Sequence, residues 1–180
     1  MDEQEPPVEH LHEEIHHHAE TSGQRWISGV ALSTALLAAL AAVAALLSGH
    51  HANEATLEQL RASDQWSYYQ AKGIKAAVLG TKLDLLAALG KEPAAADREK
   101  LAGYQKEQDE IAAEARAGEA ASRAHLRHHV VLSRGVTCFQ VAIAVAAISV
   151  LTRRRWFWFI GLGFGAIGTV FLLQGVVGRG

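Results

Sequence analysis

The sequence has a single cysteine, Cys138, so no disulfide can form within the chain and its redox compartment is not legible. Proline is almost as scarce. Two of the three prolines adjoin as Pro6 and Pro7, which leaves Pro93 as the only helix breaker beyond the first residues. Neither sign of charge predominates: 17 Lys and Arg stand against 19 Asp and Glu, and the basic residues form no stripe of the kind that tracks a phosphate backbone. Nucleic acid is therefore not an expected partner. No P-loop, no pair of Cys-x-x-Cys motifs and no G-x-G-x-x-G following a strand occurs. The glycines around Gly161 lie inside an apolar run, where they cannot cradle phosphate.

Charge is also missing locally, and that absence says most. From Trp26 to Gly49 there is no charged residue in WISGVALSTALLAALAAVAALLSG. A bilayer-spanning helix needs about 20 apolar residues, which this run exceeds. Two further runs qualify: GVTCFQVAIAVAAISVLT at 135–152, extendable back to 130 if Arg134 snorkels, and WFWFIGLGFGAIGTVFLLQGVVG at 156–178. The leader before the first run is acidic and the run is long, which favours an uncleaved anchor over a secretory signal.

The predicted fold is an all-α membrane protein with three transmembrane helices and a long extramembrane helical hairpin. Residues 1–24 form an acidic, His-rich tail and 25–49 the first span. Residues 50–129 form the hairpin with its turn near 90–93, and 130–152 the second span. A basic loop, 153–155, leads to the third span at 156–178. Arg153, Arg154 and Arg155 beside Trp156 and Trp158 place that short loop on the cytoplasmic side by the positive-inside rule. The N-terminus is then cytoplasmic and the hairpin periplasmic.

Between the first two spans, Gly90 is placed to close one helical arm and Pro93 to open the next. Leu57, Leu60, Ile74, Val78 and Leu85 recur at heptad-compatible spacing in the first arm, interrupted by Asp64 and Ser67. Leu101, Tyr104, Ile111, Ala115 and Leu126 do so in the second, interrupted by Gln108 and Gly118. These two sets are the expected seam. An antiparallel hairpin also sets Lys72 and Lys75 opposite Glu107, Asp109 and Glu110. The most distinctive stretch is DQWSYYQAKGIK, residues 64–75, in which Trp66, Tyr69 and Gly73 share a helical face that Gly80 extends. That face suits either a neighbouring molecule or the hairpin's own seam. With this stretch between one N-terminal and two C-terminal spans, the chain resembles a bacterial family of small three-span membrane proteins known only as a domain of unknown function. The resemblance covers about residues 24–176, implies a bacterial inner-membrane location, and carries no activity and no catalytic residues.

Histidines offer the candidate chemistry. His12-Glu13-Glu14-Ile15-His16 is a literal H-E-x-x-H, the helical zinc-protease spacing. A catalytic zinc site also needs a third ligand and a cleft that excludes water. This match sits in a short tail, and none of the three apolar runs contains a histidine. Chance in a His- and Glu-rich segment is the better account, and the chain is not expected to be an enzyme or to need a cofactor. Weak divalent-metal binding through His12 and His16 is the milder reading. A second group, His50 and His51 after the first span with His125, His128 and His129 before the second, can meet at one membrane surface and bind metal or respond to pH.

Within the spans, Gln140 is a candidate pore-lining or interhelical residue. Gly161, Gly165 and Gly168 give the third span a small-residue packing face suited to helix association. The leading expectation is a self-assembling homo-oligomeric scaffold in a lipid bilayer, its protein partner not legible; an oligomeric channel is the alternative.

Overall fold

The computed structural model describes residues 25–178, which form three α-helices and no strand. α1 runs over Arg25–Ala88, α2 over Ala95–Thr152 and α3 over Arg155–Val177. Each contains a segment long and apolar enough to cross a membrane. α1 does not break where its apolar run ends at Gly49. A lone glycine inside a helix costs only about 1 kcal/mol, and the alanines, leucines and glutamates after it are strong helix formers.

Both connections are short and use the same device. After α1, the Gly90 N–H donates to the Ala87 carbonyl at 3.0 Å and the Lys91 N–H to the Leu86 carbonyl at 2.9 Å. This is the paired hydrogen bonding of a Schellman ending, with Gly90 in the left-handed region at φ 70°. Pro93 follows, and Ala94, the residue before α2, receives the Asp97 N–H on its carbonyl. After α2, the Arg153 N–H donates to Val150 and the Arg154 N–H to Ser149 in the same pattern. Here the left-handed residue is Arg153, at φ 54°. A side chain there costs about 1–2 kcal/mol that glycine would avoid.

The chain divides into two compact units. One comprises the described residues through Ala52 and those from Leu126 onward; the other is Asn53–His125.

In the first unit, the apolar segments of α1 and α2 and the whole of α3 pack together. One cluster joins Ile27, Val30 and Ala31 of α1 to Ala146, Ala147 and Val150 of α2, with Trp26 and Trp158 against it. A second joins Leu37 and Ala44 to Leu132, Phe139, Ala142, Ile143 and Leu172. Glycine permits the approach of α3. A Cβ at Gly161 would lie 2.9 Å from the Ala142 carbonyl oxygen, and one at Gly168 would lie 2.9 Å from the Phe139 ring. Only 28 % of the most apolar window of α1 and of α3 is buried, so both are apolar on the faces that the protomer leaves open.

The second unit is a helical hairpin, with the α1 and α2 arms antiparallel. Its seam is narrow and made of small side chains. Ala55 and Ala62 of α1 and Ile111, Ala112, Ala115 and Ser122 of α2 are buried. A Cβ at Gly118 would sit 3.3 Å from the Ala62 Cβ, and the Ser122 hydroxyl donates to the Ala55 carbonyl at 2.8 Å. The expected seam holds for the α2 arm at Ile111 and Ala115, but not for α1. Leu57, Leu60, Ile74, Val78 and Leu85 are exposed, Ile74 and Val78 at 66 %. Near Ala55, Ala62 and Gly118 the arms are close enough to favour small side chains, and Leu57 and Leu60 turn outward; further along α1, Leu79, Leu83 and Leu86 are half-buried. Gln108 and Gly118, read as interruptions of the seam, belong to it.

Candidate functional site

Two faces of α1 within the hairpin differ in what they can do. The inner face carries Trp66, Tyr69 and Gly73. Trp66 is half-buried and its Nε1–H donates to Glu119 Oε1 at 2.8 Å. Its ring meets Tyr69 edge-on at 5.5 Å between centroids. The Gln108 side-chain amide donates to the Tyr69 carbonyl at 3.4 Å and would lie 2.9 Å from a Cβ at Gly73. These three residues therefore serve the hairpin's own seam. Gly80 continues the face, with nothing within 4 Å of where its Cβ would be.

Charge fixes the register of the arms. Lys72 forms an ion pair with Glu107 and lies 5.2 Å above the Tyr104 ring and 5.3 Å from that of Tyr68. Hydrogen bonding to Glu107, and after it to Tyr68, holds the Lys72 ammonium above the usual lysine value despite some desolvation. The second cross-arm pair is Lys82 with Asp97 at 2.6 Å, in place of any made by Lys75.

The outer face of α1 is the surface that the sequence missed as a surface. Each exposed apolar residue lies two positions from a covered one: Leu57 from Ala55, Leu60 from Ala62, and Ile74 and Val78 from Ala76. Two residues turn a helix by about 200°, which sets Leu57 and Leu60 away from the seam, whereas Ile74 and Val78 border a cavity of about 380 Å³ that Asp97, Lys100 and Tyr104 of α2 also line. The signal was in the sequence as the heptad of large apolar residues. It pointed to the wrong side because alanine packing carries little hydropathy.

In the first unit, His51 stacks on His128 with centroids 4.9 Å apart and planes at 20°, and His50 lies 5.6 Å from His51. His128 Nδ1 is 3.1 Å from the Gly175 carbonyl and His129 Nδ1 is 3.0 Å from that of Ser48. A carbonyl accepts only, so each of these contacts is a hydrogen bond when the ring carries its proton on Nδ1. Ser48 links His129 to Ser133, each at 2.9 Å from its hydroxyl. His50, His51 and His128 are thus brought near one another, while His129 turns to Ser48. No group of three or more His, Cys, Asp or Glu side chains placed to hold a metal occurs among the described residues. His12 and His16 lie outside the described residues.

Gly161, Gly165 and Gly168 are buried within the protomer. A Cβ at Gly165 would lie 2.6 Å from Leu37 Cδ2. This small-residue face packs against α1 and α2 of the same chain. Gln140 takes the reverse position and is exposed on the protomer's surface, beside exposed Val141. A contact not foreseen from sequence joins α3 to α1: the Trp158 Nε1–H donates to the Ser33 hydroxyl at 3.0 Å. The Arg155 guanidinium lies 5.5 Å from the centre of the Trp26 ring.

The family model described as a domain of unknown function, DUF4337, matches residues 26–178. The chain belongs to this family. The match takes in the hairpin and all three apolar segments, and it brings no assigned chemistry to any of them. No curated protein and no solved structure matches the chain.

Proposed function

We propose that this DUF4337 chain is a non-catalytic scaffold of the bacterial inner membrane, which self-assembles and presents its hairpin as a docking rod. In this reading the apolar segments of α1, α2 and α3 cross the bilayer, where outward apolar faces such as those of Leu36, Leu46 and Leu173 meet lipid. The N-terminus lies in the cytoplasm and the hairpin in the periplasm. Arg153 supports this orientation. The turn needs no arginine and would be easier with glycine, which is consistent with a residue held there for its charge.

The observation that carries the proposal is the apolar outer face of the α1 arm. It lies in the part of the chain proposed to meet water, where Leu57, Leu60, Ile74, Val78 and Leu85 are exposed in the protomer. The test is the native mass of the full chain in lipid nanodiscs or after gentle extraction. The proposal expects a defined multiple of the 19.3 kDa protomer. A single chain at every concentration would contradict it.

One observation favours a second reading, an oligomeric pore. Gln140 is exposed within an otherwise apolar segment, where an amide facing hydrocarbon lacks partners. A pore predicts ion flux through liposomes that Gln140→Leu alters. A scaffold predicts no flux from either chain.

A further inference from the structure

We infer that the turn joining α2 to α3 binds the phosphate of anionic phospholipid headgroups through Arg153, Arg154 and Arg155. The inference rests on the membrane-spanning reading above and adds a ligand class and the residues that take it.

The first unit has cations and no anions of its own. Across 25–52 and 126–178 the sequence contains no Asp, no Glu and no Lys, so, histidine aside, every charged side chain is an arginine. Arg127, Arg134, Arg153, Arg154 and Arg155 enter no ion pair among the described residues. For the three in the turn, a negative partner must come from outside the unit. A guanidinium presents a fixed fork of donors that matches two phosphate oxygens at once, which an ammonium does not.

Local structure keeps the three consecutive arginines available. The turn closes on backbone alone, with the Arg153 N–H on Val150 and the Arg154 N–H on Ser149. Arg154 precedes α3 with an extended backbone and makes no side-chain cap. All three residues are exposed. The Arg155 guanidinium lies 5.5 Å from the centre of the Trp26 ring. Contact with a ring does not consume its N–H groups, which remain for oxygen acceptors.

Tryptophans set the depth of the turn. Trp26 and Trp158 pack against the cluster around Val30 and Val150, and Trp156, directly after the arginines, is 72 % exposed. Indoles favour the level of the headgroups. The 23 residues of α3 extend about 34 Å at 1.5 Å per residue, close to the ~30 Å of a hydrocarbon core. Its first residue, Arg155, therefore lies beside one headgroup layer. A zwitterionic headgroup brings its own ammonium, whereas a net anion does not, and each basic residue near an anionic surface adds a roughly fivefold preference. The acidic leader before α1 is the rival anion at this end. Arg127 and Arg134 precede the apolar run of α2 at the other end and also lack ion pairs, and lipid phosphate is the anion present at both ends.

The test is native mass spectrometry of the full chain released from nanodiscs holding equal amounts of phosphatidylglycerol and phosphatidylethanolamine. The natural chain should retain phosphatidylglycerol several-fold over phosphatidylethanolamine. Arg153→Gln, Arg154→Gln and Arg155→Gln together should bring that ratio near one, while Arg116→Gln in the hairpin should leave it unchanged. The triple lysine counterpart keeps the charge that governs insertion but loses the fork, so its ratio should fall between the two. A ratio equal to the natural one in the glutamine chain or the lysine chain would overturn the inference. Occupation of the turn by the acidic leader would give that result. Displacement of the lipid by inorganic phosphate, beyond that by chloride of equal ionic strength, would mark a free-anion site and overturn the lipid as ligand. A single-chain native mass would end the self-assembly reading and leave this site standing. Failure of the natural chain to float with neutral vesicles would end the membrane reading and this inference with it.

Discussion

The two arms of the hairpin have similar helix-forming compositions and opposite surfaces. The α2 arm is conventional, with Ile111, Ala112 and Ala115 buried toward its partner and carboxylates and basic residues outward. The α1 arm buries Ala55 and Ala62 and exposes Leu57, Leu60, Ile74, Val78 and Leu85, while Leu79, Leu83 and Leu86 are half-buried. Where Ala55, Ala62 and Gly118 meet, small side chains let the arms approach, and Leu57 and Leu60 face away. An exposed apolar face on one arm and a charged one on the other is the contrast on which the proposed assembly rests.

The sharpest way to break the comparison is to enlarge the inner seam. Ala115 is fully buried. Ala115→Leu should destabilise the hairpin by about 1–3 kcal/mol through overpacking, seen as a lower thermal midpoint. Leu60→Ala on the outer face should leave protomer stability within about 0.5 kcal/mol while weakening assembly. Equal losses of stability from both would erase the distinction between the faces.

Trp66→Phe keeps the aromatic packing but removes the indole N–H that Glu119 accepts. A loss of about 1 kcal/mol in hairpin stability is expected in chemical denaturation, with the mass of the assembly unchanged. Asp64→Leu sharpens the contrast from the other side. It extends the exposed apolar face of α1, so the assembly should persist to lower protein concentration, while protomer melting stays the same.

The smallest effect concerns Lys72. Because its pKa is raised in the folded chain, its contribution is fully present below the ordinary lysine value of 10.5 and is lost as pH rises through the higher folded value. Lys72→Met should remove that strongly alkaline loss from the hairpin's pH–stability profile and leave the profile near neutrality almost flat.

Much of the architecture was legible. The three apolar runs mark the apolar segments of the three helices, Gly90 marks the end of α1, and opposite charge anticipated the pairing of Lys72 with Glu107. These features rest on strong local signals: run length, a left-handed turn and sequence separation about a known turn. The side of α1 that faces α2 was not legible, because Ala55, Ala62 and Gly118 pack by being small and leave no hydrophobic period. The glycines of α3 announced a packing face but not whose. Only the geometry shows Gly161 against Ala142 and Gly165 against Leu37 of the same chain. Arg153 gave no turn signal, since a left-handed arginine has no sequence signature. The histidine spacing suggested convergence, but it could not say that His51 would stack on His128 while His129 turned to Ser48.

The central claim is that the exposed apolar face of the α1 arm serves assembly. The most direct measurement is the native mass of the full chain beside that of the double variant Ile74→Glu, Val78→Glu, with helix content followed by circular dichroism. The account predicts an oligomer for the natural sequence and a shift to the 19.3 kDa protomer for the variant, at unchanged helix content. An oligomer of the same mass in both would contradict it.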